Sequence, residues 1–196
     1  MTEESPFKFT MPEEEAELVR ASYKDAGVIL EYGSGGSTLI AAEGATLSVT
    51  SVESDRSWSL RMEAWFKANP PRVPVAMHHV DVGPTGKWGF PSDKSKLKNW
   101  AAYPVSVWDR KDFVHPDVVL VDGRFRLACM LTTQLRITRP ILLLCDDYVE
   151  RPSYHRFEKL AGKPKMTGRM AAFTLTPQSF PVKHMGWIMT AYSDPV

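Results

Sequence analysis

Hydrophobic and polar positions follow each other along this chain in a pattern that predicts helices and strands in alternation. Residues 28–30 form a wholly apolar run that leads into a glycine-rich turn, which is typical of a parallel strand buried on both faces. Before this run, Thr10, Pro12 and Glu13 have the spacing of a capped helix start, so a helix is predicted over residues 10–25. The pattern therefore begins as α-β and continues into β-α-β units.

The remaining elements are predicted from the same periodicities and from cap and breaker residues. Ser37 and Ser54 are the predicted caps of the next two helices. Helices are predicted over residues 37–42, 54–70, 126–137 and 152–160. Strands are predicted over residues 46–52, 73–82, 117–121 and 141–145, with an antiparallel pair over 171–176 and 186–192. This succession predicts an α/β fold with a doubly wound, Rossmann-like, mostly parallel sheet and an antiparallel edge.

The predicted helix 54–70 carries an aromatic face. Trp58, Met62, Trp65 and Phe66 recur at helical spacing and so lie on one side of it. We interpret these side chains as part of the hydrophobic core.

Residues 83–113 interrupt the regular alternation with a long segment rich in Gly, Pro, Lys and Trp. Compact α/β units usually need much shorter connections. Its aromatic side chains are Trp88, Phe90, Trp100, Tyr103 and Trp108. Two interpretations stay open: a lid that covers a substrate, and a surface excursion with a small core of its own.

Composition limits the classes of protein to which the chain can belong. The length of 196 residues predicts one domain over residues 1–196. The formal net charge of +1 gives no electrostatic field strong enough to attract nucleic acid. Its apolar runs are of strand length, far short of the roughly 20 residues that cross a bilayer. Cys129 and Cys145 lie in apolar stretches, and no secretory signal precedes them. We expect a cytoplasmic protein with no membrane or nucleic-acid partner.

The candidate chemistry lies at the carboxyl ends of the predicted strands, where doubly wound sheets bind ligands. After the first strand come Glu31, Tyr32, Gly33, Ser34, Gly35, Gly36, Ser37 and Thr38. The glycines of this loop permit close approach of the backbone to a ligand. Glu53 follows the second strand, where a carboxylate can accept both hydroxyls of a ribose. The spacing suits a nucleoside.

Other glycine-rich phosphate loops fit this segment less well. The third glycine of a dinucleotide-binding fingerprint would fall at Thr38, and the lysine of a P-loop is missing. A carboxylate at Glu31 would also repel a pyrophosphate, whereas it would attract the amino group of an amino acid. These features indicate a cationic nucleoside conjugate.

The loop resembles the first motif of class I S-adenosylmethionine-dependent methyltransferases, in a branch that reads acid-aromatic-Gly-Ser-Gly-x-Ser-Thr. The resemblance covers about residues 25–193 and departs from the usual motif at its third glycine, which is Ser37 here. It implies a seven-stranded sheet with a reversed last strand and S-adenosylmethionine held by the residues of this loop. It further implies Glu53 on the ribose, Asp81 near the adenine, and Asp122 beside the cofactor.

Acids also follow the fourth and fifth predicted strands: Asp122, Asp146 and Asp147. Their positions resemble those of the metal-dependent small-molecule methyltransferases, such as catechol O-methyltransferase, which implies a magnesium site. One departure is Asp147, which stands where that branch has an amide. The alternative interpretation is that these acids cap helices or pair with Arg124, Arg126 and Arg151, which requires no metal.

The resemblance implies an enzyme that transfers a methyl group to a small acceptor beneath segment 83–113, with Asp122 and Arg124 beside the acceptor. No nucleophile motif for covalent catalysis is found, and methyl transfer gains mainly from positioning. Two alternatives stay open: a protein that binds the cofactor without transferring the methyl group, and a scaffold that binds no cofactor.

Overall fold

The computed structural model describes residues 5–196, and within them the chain forms seven strands and seven α-helices. The strands are β1 Val28–Tyr32, β2 Ser48–Glu53, β3 Val75–His79, β4 Val118–Val121, β5 Ile141–Cys145, β6 Lys165–Thr167 and β7 Met170–Leu175. The helices are α1 Glu13–Lys24, α2 Gly36–Gly44, α3 Arg56–Ala68, α4 Ala102–Val105, α5 Arg126–Arg136, α6 Glu158–Ala161 and α7 Met185–Ala191.

All seven strands belong to one sheet in the order β3-β2-β1-β4-β5-β7-β6. Strands β1 to β5 pair in parallel, whereas β7 runs antiparallel to both β5 and β6. The strand order reverses between β1 and β4, which is the switch point at which such sheets bind ligands. The predicted doubly wound, mostly parallel fold is confirmed.

Alternating side chains of β1 enter two apolar layers, one on each face of the sheet. Leu30 and Tyr32 pack in the layer that contains α5 and α7, while Ile29 packs in the layer beneath α1 and α2. Strands β1 and β4 are buried along their whole length, as their continuous apolar runs predict. Among the described residues, no helix is long and apolar enough to cross a membrane.

The antiparallel edge differs from the prediction. Helix α7, Met185–Ala191, lies where a strand over residues 186–192 is predicted, because its buried side chains, Ile188 and Ala191, are three positions apart and follow a helical period. The strand beside β7 is β6, and a two-residue turn at Gly168 and Arg169 joins them. Gly168 has φ +51°, which favours glycine in such a turn.

The predicted starts of α1 and α2 are also wrong. Pro12 is the cap position of α1 and no side chain caps it, so the predicted capping box of Thr10 and Glu13 does not form. Helix α2 begins at Gly36 rather than being capped by Ser37. There, Thr38 Oγ1 accepts the Gly35 N–H at 3.0 Å.

The cap of α3 is Asp55, one residue after the predicted Ser54. The Asp55 carboxylate accepts the Trp58 N–H at 2.9 Å. The Ser54 hydroxyl instead donates to the Gly89 carbonyl at 2.8 Å, because segment 83–113 packs against the end of β2. The predicted helix 152–160 is a 3₁₀ turn at Tyr154–Phe157 followed by α6.

Segment 83–113 does not form the separate small core that one interpretation expects, and its role as a lid stays a prediction. Trp100, Tyr103 and Trp108 are buried and join the main core, where Tyr103 and Trp100 pack against Phe125. Trp88, by contrast, is 73% exposed. The segment is therefore anchored by one group of aromatic side chains and exposes another.

Candidate functional site

A cavity of about 840 Å³ opens at the carboxyl ends of β1, β2, β4 and β5. It is lined by residues 33–37, by the residues that follow the other three strands, by the segment 6–11, and by Trp88, Gly89 and Tyr103. This volume lies within the roughly 300–1,000 Å³ of small-molecule sites. Another depression, of about 540 Å³, lies at the amino end of β3 and away from the predicted chemistry.

The glycine-rich loop forms the floor of this cavity. Gly33 has φ +98°, and a Cβ there would lie 2.6 Å from the Gly123 nitrogen, so the loops after β1 and β4 touch through their backbones. A Cβ at Gly35 would meet no atom within 4 Å. The main chain at Gly35 is therefore open to a ligand.

The N-terminal segment lies across the loop from the other side. Pro6, Lys8 and Phe9 line the cavity, and a side chain at Gly36 would collide with the backbone of Lys8 and Phe9. Sequence reasoning missed this segment, because nothing local in it indicates a contact with residue 36.

Three predicted loop residues support the loop from below and do not line the cavity. The Tyr32 hydroxyl donates to the Pro104 carbonyl at 2.6 Å, and Thr38 holds the Gly35 N–H. Glu31 is fully buried, and the Tyr23 hydroxyl donates to its Oε1 at 2.7 Å. Burial raises the pKa of Glu31, and the nearby hydroxyls of Thr38 and Tyr23 oppose that shift.

Glu53 lines the cavity, and its carboxylate is already engaged. Its Oε1 accepts the backbone N–H groups of Ser54 at 2.7 Å and Asp55 at 2.8 Å. Its Oε2 accepts the Ser34 hydroxyl at 2.6 Å. A ribose hydroxyl at this carboxylate would therefore compete with Ser34.

Asp81 lies outside this cavity. It is exposed, its carboxylate pairs with Lys96 at 3.1 Å, and its Oδ1 accepts the Gly83 N–H at 3.0 Å. Its place near an adenine stays a prediction.

The three acids after β4 and β5 do come together, with ligand atoms within 4.8 Å of one another. Arginines occupy them: Arg169 forms a two-point pair with Asp146 at 2.7 and 2.9 Å. Arg126 contacts Asp122 at 3.1 Å and Asp147 at 3.2 Å. Oxygen ligands suit Mg²⁺, but cations of the chain already neutralise these, so the arrangement does not fit a magnesium site.

Asp122 has the most perturbed titration in this cluster. Its side chain is 35% exposed and lines the cavity. Desolvation raises the pKa of Asp122 to about 7, with Arg126 opposing the shift and Asp146 adding to it. This carboxyl can therefore gain or lose a proton near neutral pH.

Trp58 is a cavity residue whose role the sequence pattern did not reveal. Its Nε1 donates to the Ser34 carbonyl at 2.9 Å, so the indole fixes the loop after β1 from the first turn of α3. The helical periodicity assigned it to the core. Helical spacing shows which face a residue occupies, but not which loop that face meets.

Comparison with known proteins places the fold and site in context. A methyltransferase-like protein from Silicibacter pomeroyi is 49% identical, with a TM-score of 0.93 over 96% of this chain and 98% of that one. An O-methyltransferase from Bacillus cereus in complex with SAH is 14% identical, with a TM-score of 0.54 over 87% of this chain and 84% of that one.

A SAM-dependent O-methyltransferase from Thermotoga maritima is 10% identical, with a TM-score of 0.52 over 91% of this chain and 70% of that one. These last two share only the fold at such identities. No protein-family profile and no curated protein sequence matches the chain.

Proposed function

The chain belongs to the methyltransferase-like family with the class I methyltransferase fold, and from this premise we propose that it transfers the methyl group of S-adenosylmethionine to a small acceptor. One observation carries the proposal. The glycine-rich loop, Glu53 and Asp122 line a single cavity at the switch point of the sheet.

The residues present fit the donor molecule. The open main chain at Gly35 offers a surface for close approach of a ligand, and the Glu53 carboxylate lines the same cavity. The solved Bacillus cereus relative of the same fold holds SAH. Residues 33–37 would hold the cofactor, and Glu53 would accept its ribose hydroxyls.

When bound, S-adenosylmethionine supplies an activated methyl group, and the chain supplies position and proton transfer. Asp122, with a pKa of about 7, can accept the proton of an acceptor hydroxyl or amine at neutral pH. Trp88 and Gly89 bring segment 83–113 to the mouth of the cavity, where they reduce the access of water.

A cofactor-binding protein without methyl transfer is the second candidate. Arginines already occupy Asp146 and Asp147 on the acceptor side. Those ion pairs stabilise the acceptor side in the absence of an acceptor, which favours a protein that binds the cofactor without transferring the methyl group.

Isothermal titration with S-adenosylmethionine and S-adenosylhomocysteine tests the proposal, followed by detection of S-adenosylhomocysteine across an acceptor library. We expect binding that E53Q weakens and E17Q, a change at an exposed position of α1, leaves unchanged. Binding without turnover would favour the second candidate. If neither compound binds or raises the melting temperature, a scaffold function remains.

A further inference from the structure

Arg124 differs from the other arginines of the cavity. Arg126, Arg151 and Arg169 each pair with Asp122, Asp146 or Asp147. Within residues 5–196, the Arg124 guanidinium has no carboxylate within 4.0 Å and donates no side-chain hydrogen bond, and its Nε is buried without a partner. It is the cavity arginine whose charge the described chain leaves uncompensated.

Such an arrangement is costly unless something else satisfies it. A buried donor that lacks an acceptor loses its hydration without compensation. Burial, followed by repulsion from Arg126, lowers the pKa of Arg124, which is the expected sign for a cation held without a counter-charge. Because most buried polar groups are satisfied, the unpartnered Nε favours an anion as the partner of this half-buried guanidinium.

The surroundings of Arg124 hold it in place over the cavity. The Phe90 ring lies 5.9 Å from the guanidinium carbon, and the Tyr103 hydroxyl accepts the backbone N–H of Arg124 at 3.5 Å. Both aromatic residues come from segment 83–113. The guanidinium is thus positioned against the Phe90 ring.

Arg124 also lies next to the glycine-rich loop. Its neighbour Gly123 contacts the backbone of Gly33, so the first cavity residues after β1 and β4 are adjacent. A ligand that touches Arg124 would therefore lie beside a molecule held on residues 33–37.

We propose that Arg124 binds an anionic oxygen group of the methyl acceptor, so that the acceptor is a small carboxylate or phosphate with an aromatic or apolar body. The guanidinium fork matches both oxyanions with paired hydrogen bonds. Trp88, which lines the cavity, provides the apolar contact. The identification of the ligand as the methyl acceptor rests on the proposed function. The anion site itself rests on the geometry of Arg124.

The test titrates three matched probes into protein with and without S-adenosylhomocysteine: benzoate, phenyl phosphate and the neutral analogue benzamide. We expect either anion to bind at least about tenfold more tightly than benzamide, since hydrogen bonds to charged groups are the stronger class. The preferred anion distinguishes a carboxylate acceptor from a phosphate acceptor. Equal binding of all three probes, or no binding of either anion, overturns the proposal.

Variants assign the effect to Arg124. We expect R124Q to abolish the preference for the anion, R124K to retain part of it, and R156Q, which removes an equal charge that stacks on Trp187 outside this cavity, to retain all of it. An anion preference that survives in R124Q overturns the proposal. Binding of S-adenosylhomocysteine is measured separately, so its loss counts against the proposed function and the loss of anion preference counts against Arg124.

Discussion

The Ser34 hydroxyl donates to Glu53 Oε2 at 2.6 Å, which ties the glycine-rich loop to the end of β2. The Ser34 N–H also reaches this oxygen, at 3.3 Å. The oxygen proposed for the ribose is thus already occupied by a group of the loop itself. Binding of a nucleoside would exchange one hydrogen bond for another.

Removing that hydroxyl should therefore tighten nucleoside binding. In S34A the ribose no longer has to displace the hydroxyl from Glu53 Oε2, and we expect S-adenosylhomocysteine to bind about threefold to tenfold more tightly. Isothermal titration measures the change. S57A, which removes an exposed hydroxyl of α3, should leave the affinity unchanged. Weaker binding in S34A would show that Ser34 itself contacts the ligand.

Two glycines of the loop should respond differently to alanine. Gly33 has φ +98°, which alanine adopts only with strain, and a Cβ there would overlap the backbone of Gly123. We therefore expect G33A to lower the free energy of unfolding by about 2 kcal/mol or more. At Gly35 a Cβ meets open space, so G35A should unfold like the wild type but bind S-adenosylhomocysteine more weakly. Urea unfolding and titration separate the two effects. A stable G33A protein would contradict the backbone contact.

The pair of Arg169 and Asp146 should contribute more to stability than a surface pair. Asp146 is 2% exposed, and R169M would leave its carboxylate without its two-point partner. We expect a loss of about 2–3 kcal/mol in the free energy of unfolding. As a control, R139M breaks the more exposed ion pair of Arg139 and Asp117. The free energy of unfolding of this variant should fall by less than about 1 kcal/mol. Equal losses would be inconsistent with a structural role for Arg169.

Stability should depend on pH through Asp122. Its pKa is raised to about 7 in the fold, against about 4 in an unfolded chain, so the folded state binds the proton more tightly. Its contribution favours folding at low pH and is lost as pH rises from about 4 to about 7. Relative to D122N, the wild type should lose stability across this range, as measured by urea unfolding at each pH. D25N, at an exposed site, serves as the control, and parallel curves for wild type and D122N would contradict the shift.

Magnesium should have little influence on the protein. Because Arg126 and Arg169 neutralise the three acids, we expect neither Mg²⁺ nor EDTA to change the melting temperature or the affinity for S-adenosylhomocysteine. Differential scanning calorimetry with each additive measures this. A clear rise in melting temperature with Mg²⁺ would restore the metal-dependent interpretation.

The sequence predictions differ from the structure where a local pattern is compatible with two different structures. Residues 186–192 alternate in a way that also fits α7, and packing of Ile188 and Ala191 decided for the helix. The acids after β4 and β5 suit either a metal or arginines. Arg169 lies after β6, about twenty residues from Asp146, so local sequence could not supply the pairing.

The sequence by itself determined the strand-helix alternation, the doubly wound parallel sheet and the glycine-rich loop at its carboxyl edge, because apolar periodicity and glycine act over a few neighbouring residues. Only the tertiary structure decided the occupancy of that edge. Three contacts join residues that lie apart in the sequence: Ser34 with Glu53, Arg169 with Asp146, and the N-terminal segment with Gly36. The missing partner of the Arg124 Nε is likewise a result of packing. Such partners depend on distances and desolvation that arise when the elements pack, and no local pattern encodes them.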